Sequence, residues 1–304
     1  MCNVLIKKIF QKIMPSRQDG GPVLKLFTLE DYPDMNGDRF SFYSGDNLLQ
    51  GYKYFDKPPY KGIIVFFHGM GAGHNAYETL IHYFVKHGYI VYAYDNACCG
   101  DSQGEGWWNM ASCLQDQECF FKYFSSLEEI KGYKVIAMGH SWGGFAAMNA
   151  VDYQVDKIVE MSGFTSVINL ITSKVPLLKI FKPLLLTAQK HYYGENGLVD
   201  TADILNNSDI PTLFIQGEKD DVVPFKQSFL YLKEKLKDKN NCTFISYSDK
   251  YHQPYMSVAA QMYYRYLNES GIALGKIKNI PEIDYDKLLE LDEDVLKTIL
   301  DFIA

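Results

Sequence analysis

The sequence predicts an α/β fold, with a mainly parallel central sheet flanked by helices and a small helical insertion. Apolar runs of strand length alternate with amphipathic stretches of helix length, which is typical of parallel strands joined by crossover helices. Hydrophobic residues make up 47% of the 304 residues and charged residues 22%, so the chain can build a large core. We expect one domain over residues 39–304, preceded by an N-terminal helix and lead-in over residues 1–38.

Short runs of β-branched and aromatic residues bounded by turn-forming residues predict the strands. The clearest run is Gly62–Phe67, GIIVFF, whose continuous apolar character is typical of a strand buried on both faces. An earlier strand follows the turn residues of Ser44–Asn47. The predicted strands are Leu48–Phe55, Gly62–Phe67, Ile90–Tyr94, Val135–Met138, Lys157–Met161, Thr212–Gln216 and Thr243–Tyr247.

Helices are predicted from apolar residues spaced three and four positions apart. The first helix ends at His87-Gly88, because glycine permits the left-handed conformation that closes many helices. In the tail, apolar residues recur at helical spacing from Leu288 to Ile303, which predicts a final helix packed on the sheet. The predicted helices are Asn75–Lys86, Met110–Leu127, Trp142–Val151, about Phe225–Lys237 and one in the tail from about Pro281.

Residues 163–207 interrupt the alternation, because they are too many for a simple crossover between consecutive strands. They are rich in Leu, Ile and Phe, and we expect Pro176 and Pro183 to break them into short helices. An insertion of this kind predicts a lid. This lid and the N-terminal helix, which has an apolar stripe from Leu5 to Ile13 with lysines nearby, are the candidates for peripheral contact with a membrane. Packing of the N-terminal helix against the body is the alternative.

Composition excludes several classes of protein. The 30 Lys+Arg and 37 Asp+Glu residues give a formal charge of −7, which lacks the basic footprint of a nucleic-acid binder. No stretch approaches the roughly 20 uninterrupted apolar residues that span a bilayer. No small-residue cleavage site follows Met1–Met14, so we expect no secretory signal. The six cysteines show no zinc-like spacing, and we expect reduced thiols in a cytoplasmic protein.

The sharpest motif is Gly139–Gly144, GHSWGG, directly after the strand KVIAM and before a predicted helix. A serine on so tight a strand-to-helix turn needs small residues two positions to either side, and Gly139 and Gly143 meet that need. The turn would present the Ser141 hydroxyl at the carboxyl edge of the sheet, above a helix N-terminus. These features predict that Ser141 is a nucleophile.

With this motif the chain resembles the α/β-hydrolase superfamily, most of all the branch containing monoglyceride lipases, carboxylesterases and serine aminopeptidases. The resemblance runs from about Leu48 to the C-terminus. It implies the α/β-hydrolase fold, a triad in the chain order serine, acid, histidine, and an oxyanion hole made by two backbone N–H groups. The segment Asp95–Ser102 departs from the pattern, since relatives carry a basic or aromatic turn there.

The triad order implies that His252 is the base, because it alone of the seven histidines follows the candidate acid. It lies in a loop after the last strand, and an imidazole can accept and return a proton near neutral pH. Asp220, just before Asp221 and Val222-Val223-Pro224, resembles the family's acid, which orients the histidine. Asp221 is the alternative, because either aspartate could instead cap a helix beginning near Pro224.

The oxyanion hole is expected from Phe67–Gly71, FHGMG, which directly follows a strand. A tetrahedral intermediate needs preorganised donors where negative charge develops. By resemblance these donors are the backbone N–H groups of Met70 and Trp142.

These residues predict a serine hydrolase that cleaves carboxylic esters, as a carboxylesterase or a monoacylglycerol-type lipase. The substrate would be a small-molecule ester, and the reaction needs no metal or organic cofactor. The alternative is a serine aminopeptidase or amidase, which would place carboxylates near the site to bind an amino group; Glu160 and Glu195 are the candidates. A binding protein on an inactive hydrolase fold is the third interpretation. Nothing in the sequence indicates the oligomeric state.

Overall fold

The strands of the protein form one sheet in the computed structural model, which describes residues 26–71, 73–104, 111–273 and 282–304. They are β1 (Asn36–Ser44), β2 (Asn47–Phe55), β3 (Gly62–Phe67), β4 (Tyr89–Tyr94), β5 (Val135–His140), β6 (Lys157–Met161), β7 (Thr212–Gly217) and β8 (Cys242–Tyr247). Across these residues the strand order is β1-β2-β4-β3-β5-β6-β7-β8. The β1–β2 and β2–β4 pairs are antiparallel and the other pairs are parallel, which confirms the predicted mainly parallel sheet.

Helices and short 3₁₀ turns connect the strands. The helices are α1 (Glu78–Lys86), α2 (Ser112–Phe124), α3 (Trp142–Met148), α4 (Val167–Lys174), α5 (Lys182–Tyr193), α6 (Thr201–Asn206), α7 (Phe229–Lys235), α8 (Val258–Glu269), α9 (Tyr285–Leu288) and α10 (Glu293–Ile303). The 3₁₀ segments are Leu29–Asp31, His74–Tyr77, Glu128–Ile130, Ala150–Asp152, Pro176–Phe181 and Gly194–Leu198. Within the described residues, none of the helices has both the length and the apolar character needed to cross a membrane.

Apolar residues on both faces of the sheet explain why helices cover it on both sides. Every residue of β3 is buried, as the GIIVFF run predicts. On one face Phe66 belongs to a core with Phe84 of α1 and Ile299 of α10. On the other face Phe67 belongs to a core that includes Phe120 of α2, Trp142 of α3 and Phe229 of α7. The parallel strands thereby send their carboxyl ends to one edge of a sheet that is packed on both sides.

The insertion at residues 163–207 folds into α4, the 3₁₀ segment Pro176–Phe181, α5, the 3₁₀ segment Gly194–Leu198 and α6. The predicted break into short helices is confirmed. Pro176 begins a 3₁₀ segment and Pro183 lies in the first turn of α5, positions where a missing N–H costs no intrahelical hydrogen bond. The role of the insertion as a lid stays a prediction.

Several elements differ from the sequence-based expectation. The strand β1 and the helix α8 were not predicted, and the tail forms the short α9 before α10 rather than one helix. Only Phe40, Phe42 and Tyr43 of the edge strand β1 are apolar and most of its residues are exposed or half-buried, so it lacks the continuous apolar signal of the central strands. The strand β5 runs two residues further than expected, to His140. The N-terminal helix expected within residues 1–38 falls largely on residues 1–25, outside the described residues.

Candidate active site

Ser141 lies at the sharp turn between β5 and α3, with φ 58° and ψ −115°. This left-handed backbone conformation is rare for a residue with a side chain and costs about 1–3 kcal/mol. Gly139 and Gly143 have no room for a side chain. A Cβ at Gly139 would collide with the carbonyl of Gly143, and a Cβ at Gly143 would collide with the carbonyl of Phe67. The turn leaves the Ser141 side chain partly exposed at the carboxyl edge of the sheet.

The structure brings Ser141, His252 and Asp220 together, although they lie far apart in sequence. The Nε2 atom of His252 lies 2.9 Å from Ser141 Oγ, and its Nδ1 atom lies 2.9 Å from Asp220 Oδ2. An ionised carboxylate only accepts hydrogen bonds, so Nδ1 carries the imidazole proton and Nε2 accepts from the serine hydroxyl. This is the direction of proton transfer that an attacking serine requires.

The carboxylate of Asp220 is fully engaged. Its Oδ1 accepts from the backbone N–H groups of Val222 at 2.9 Å and Val223 at 2.8 Å, and its Oδ2 accepts from Gln216 Nε2 at 2.9 Å as well as from His252. Burial alone would raise the pKa of Asp220, but the hydrogen bond and charge of His252 and the two backbone donors outweigh it, so the pKa is lowered. Asp220 is therefore ionised at neutral pH.

Asp221, the alternative acid, lies outside this arrangement. Its carboxylate is exposed and pairs with Arg265, whose guanidinium nitrogen lies 2.7 Å from Asp221 Oδ2. The helix expected from about Phe225 begins only at Phe229, as α7 with Ser228 as its N-cap, so neither aspartate caps it. Of the two neighbouring aspartates, only Asp220 contacts His252 among the described interactions.

The loop that carries His252 is held by polar contacts of the two residues before the histidine. Lys250 is buried, and its Nζ donates to the carbonyl of Met256 at 2.7 Å and to Asp292 Oδ2 at 2.6 Å. The backbone N–H of Tyr251 donates to Gln261 Oε1 at 2.7 Å. Gln261 lies in α8, Met256 precedes that helix and Asp292 caps α10, so a helix that was not predicted from the sequence contributes to holding the loop of the candidate base.

The candidate oxyanion donors follow two neighbouring strands of the sheet, β5 and β3. Trp142 is the first residue of α3, where backbone N–H groups point out of the helix end, and Met70 follows β3 in the neighbouring loop. His68 orders that loop: its Nε2 accepts from the backbone N–H of Asn96 at 3.0 Å, so its Nδ1 donates to the carbonyl of Gly69 at 2.6 Å. Burial lowers the pKa of His68, which agrees with this neutral tautomer.

A second histidine, His140, links the oxyanion loop to the base loop. Its Nε2 lies 2.8 Å from the carbonyl oxygen of His252 and must donate, so its Nδ1 accepts from the hydroxyl of Tyr77 at 2.9 Å. The same hydroxyl accepts from the backbone N–H of Gly69 at 3.1 Å. Burial and the nearby His252 lower the pKa of His140 to about 3, which keeps it neutral. No role was predicted for His140 or Tyr77; a polar residue at the end of the apolar strand β5 is the signal that could have revealed His140.

The two carboxylates that are candidates for binding an amino group lie in different surroundings. Glu160, on β6, is only 2% exposed and accepts a hydrogen bond from the backbone N–H of Gly163. Burial raises the pKa of Glu160 to about 8, with the charge of Asp220 adding to the effect. Glu195 is exposed and pairs with Lys190 at 2.9 Å. Glu160 is thus mostly neutral at neutral pH, and Glu195 forms an exposed ion pair.

Comparison with known proteins agrees with the fold. Residues 58–194 match the family model described as serine aminopeptidase, S33. No curated protein matches the chain. Among solved structures, an esterase of Pyrococcus furiosus has a TM-score of 0.61 at 16% identity, over 85% of this chain and 98% of that one.

Two further solved structures are similar. An acylaminoacyl peptidase of Pyrococcus horikoshii has a TM-score of 0.57 at 19% identity, over 84% of this chain and 44% of that one. An alpha/beta hydrolase of a Penicillium species has a TM-score of 0.55 at 14% identity, over 79% and 99%. The expected resemblance is confirmed at the level of the fold: the chain has the α/β-hydrolase fold, and over residues 58–194 it is similar to the serine aminopeptidase S33 family.

Proposed function

We propose that this protein is a serine hydrolase that cleaves carboxylic esters through a covalent acyl-enzyme. The observation that carries the proposal is the continuous chain of hydrogen bonds from Ser141 through His252 to the ionised Asp220, with both contacts at 2.9 Å. The strained backbone of Ser141 supports it further, since such strain is typical of functional sites.

In the first half of the reaction, Ser141 Oγ attacks the ester carbonyl carbon while its proton moves to His252 Nε2. Asp220 stabilises the resulting imidazolium, and the backbone N–H groups of Met70 and Trp142 stabilise the oxyanion of the tetrahedral intermediate. The intermediate collapses, the carbon–oxygen bond to the alcohol breaks, and the alcohol leaves with the proton from His252. Water then repeats these steps on the acyl-enzyme and releases the acid and free Ser141.

The surroundings of Glu160 and Glu195 favour an ester as the substrate over a molecule with a free amino terminus. An aminopeptidase needs an ionised carboxylate that can reach the substrate's ammonium group. Glu160 is buried with its pKa raised to about 8, and Glu195 lies beside Lys190, whose positive charge opposes the approach of a substrate's ammonium group. Neither candidate supports amine binding, which leaves the ester as the first choice.

An aminopeptidase or amidase on the same residues is the second candidate. The match of residues 58–194 to the serine aminopeptidase S33 model is the observation that favours it. Amide hydrolysis uses the same nucleophile and base, so the substrate range has to be measured directly.

The test is the hydrolysis of p-nitrophenyl esters of increasing acyl length, with aminoacyl p-nitroanilides beside them. We expect ester turnover, and Ser141→Ala should lower kcat by about 10⁶-fold because the three residues act as a unit. A fluorophosphonate should label the wild type and not Ser141→Ala. Turnover of anilides alone would favour the peptidase, and a loss of only a few-fold in Ser141→Ala would remove Ser141 from the mechanism.

The acyl-length optimum also identifies the substrate class. An optimum at short chains indicates a confined pocket and a carboxylesterase, whereas an optimum at long chains indicates that the insertion at residues 163–207 helps to bind an acyl chain, as in a monoacylglycerol lipase. Absence of turnover for every ester and anilide would favour a binding protein on this fold.

A further inference from the structure

The insertion exposes an unusual concentration of large apolar side chains. Five of them lie within ten residues, and Leu177 and Ile180 are exposed to 69% and 74%. Single exposed apolar residues are ordinary, but a contiguous group of this kind marks an interaction surface. We call this group the apolar patch; its members are Val175, Leu177, Ile180, Phe181 and Leu184.

The patch lies on a segment whose other side packs against the domain. The 3₁₀ segment Pro176–Phe181 leads directly into α5, and Leu177, Ile180 and Leu184 recur at spacings of three and four residues, which places these three on one helical face. Leu178 and Leu185 point the other way and pack against the core of the domain. The apolar face is therefore held outward by its own inward-facing neighbours.

The charge of the same segment is opposite to that of the whole chain. Between Glu160 and Glu195 there is no acidic residue, whereas the chain as a whole carries −7. Lys174, Lys179 and Lys182 lie beside the patch, and a fourth lysine of the segment, Lys190, is paired with Glu195. Lys174 Nζ donates to the backbone carbonyl of Asp221, and Lys182 Nζ donates to Asn169 Oδ1. Both acceptor oxygens are neutral, so these contacts do not cancel the charge of the lysines.

From this arrangement we propose that the apolar patch docks the protein on an anionic lipid surface. Exposed Leu, Ile and Phe side chains enter the headgroup–acyl boundary, and the flanking lysines contact anionic headgroups. A second copy of this chain fits the patch less well. A two-fold interface pairs a surface with itself, which would bring the lysines of both copies together.

Docking would place the candidate active site beside the bilayer. The insertion begins directly after β6, at the carboxyl edge of the sheet where Ser141 lies. Lys174 at the start of the patch donates to the carbonyl of Asp221, the neighbour of Asp220. Docking itself needs no catalysis, so it can be tested independently of the proposed hydrolase activity.

The experiment measures co-sedimentation of the full chain with vesicles of phosphatidylcholine alone and of phosphatidylcholine and phosphatidylglycerol in equal parts. We expect binding to the second kind, weakened by salt and unchanged in Ser141→Ala. The double variant Leu177→Ser/Ile180→Ser should weaken partitioning by about tenfold or more, because two apolar side chains no longer enter the lipid. Lys179→Glu/Lys182→Glu should weaken it on anionic vesicles.

The matched control is Met262→Ser, which removes an exposed apolar side chain from α8, away from the insertion. Because the altered residues are exposed, all variants should keep the thermal midpoint of the wild type. Failure of the wild type to bind anionic vesicles would overturn the proposal. Unchanged vesicle binding in both double variants would also overturn the proposal, because it would assign binding to another segment. A wild-type dimer that becomes a monomer in Leu177→Ser/Ile180→Ser, without vesicle binding, would make a second copy the occupant.

Discussion

Asp220 and Asp221 are neighbours in sequence, yet their side chains lie in different environments. Asp220 is buried and accepts from His252, Gln216 and two backbone N–H groups, whereas Asp221 is exposed and pairs with Arg265. An exposed ion pair contributes little, because water and salt screen it. The two residues should therefore differ sharply in their importance for the proposed reaction.

We predict that Asp220→Asn lowers kcat for ester hydrolysis by about 10⁴-fold, the order seen when a triad acid is replaced by its amide. The amide cannot stabilise the imidazolium, and it favours the wrong tautomer of His252. Asp221→Asn is the matched control and should stay within a few-fold of the wild type. The measurement is kcat with one p-nitrophenyl ester; equal losses in both variants would contradict the assignment of Asp220.

Tyr77 should act as a positioning residue. Tyr77→Phe removes the hydroxyl that joins Gly69 N–H to His140 Nδ1 and leaves both buried groups without that partner. We expect a lower kcat, by about tenfold, with little change in KM, and a loss of about 1–3 kcal/mol in the free energy of unfolding. The control is Tyr83→Phe, whose hydroxyl makes only an exposed contact with Glu293 among the described interactions. An unchanged kcat in Tyr77→Phe would show that the link has no effect on catalysis.

Local sequence signals were sufficient to propose the main site residues but not to find their supports. Ser141 is marked by a strand, a tight turn and a helix within a few residues, and His252 by chain order. The choice of Asp220 over Asp221 became clear only from the contacts in three dimensions. The hydrogen bonds of His140 reach partners 63 and 112 residues away, so no local pattern could indicate them.

At the scale of secondary structure elements, the turn between β5 and α3 depends on space as well as on backbone conformation. We predict that Gly143→Ala lowers the free energy of unfolding by about 3 kcal/mol or more, because its Cβ would collide with backbone atoms that cannot move aside easily. Urea unfolding measures this loss.

The control for this substitution is Gly194→Ala, at a glycine with φ 56° where an added Cβ would meet no atom of the described residues within 4 Å. It introduces backbone strain alone and should cost about 1–3 kcal/mol. Equal losses in the two variants would show that the collision at Gly143 is relieved by small shifts.

Elements with strong local patterns were predictable, and elements defined by their neighbours were not. The continuous apolar run of β3 matched its predicted bounds, Gly62–Phe67, because a strand buried on both faces needs apolar residues throughout. The edge strand β1 and the helix α8 bury fewer of their residues, so their patterns are diluted by polar positions. Helix ends were misplaced by a few residues where capping rather than periodicity decides them.

At the scale of the whole molecule, a buried carboxyl group couples folding to pH. Glu160 is almost completely buried on β6, and its neutral form predominates in the folded protein at neutral pH because burial raises its pKa. In the unfolded chain the same side chain is in water and ionised. Folding therefore takes up a proton at this residue, and the free energy of unfolding must depend on pH.

We predict that this contribution to stability is lost as pH rises. Since the pKa of Glu160 is raised from 4.5 to about 8, its contribution is fully present below pH 4.5 and declines until the folded form ionises near pH 8. Within that window the slope approaches about 1.4 kcal/mol per pH unit for one proton. Glu160→Gln keeps an oxygen that can accept from Gly163 N–H but has no proton to lose, so its unfolding free energy should lack this decline. Urea unfolding of the wild type and of Glu160→Gln across this pH range measures the difference in unfolding free energy. The control is Glu195→Gln, at an exposed carboxylate. A difference that does not change with pH would mean that Glu160 is ionised in the folded protein.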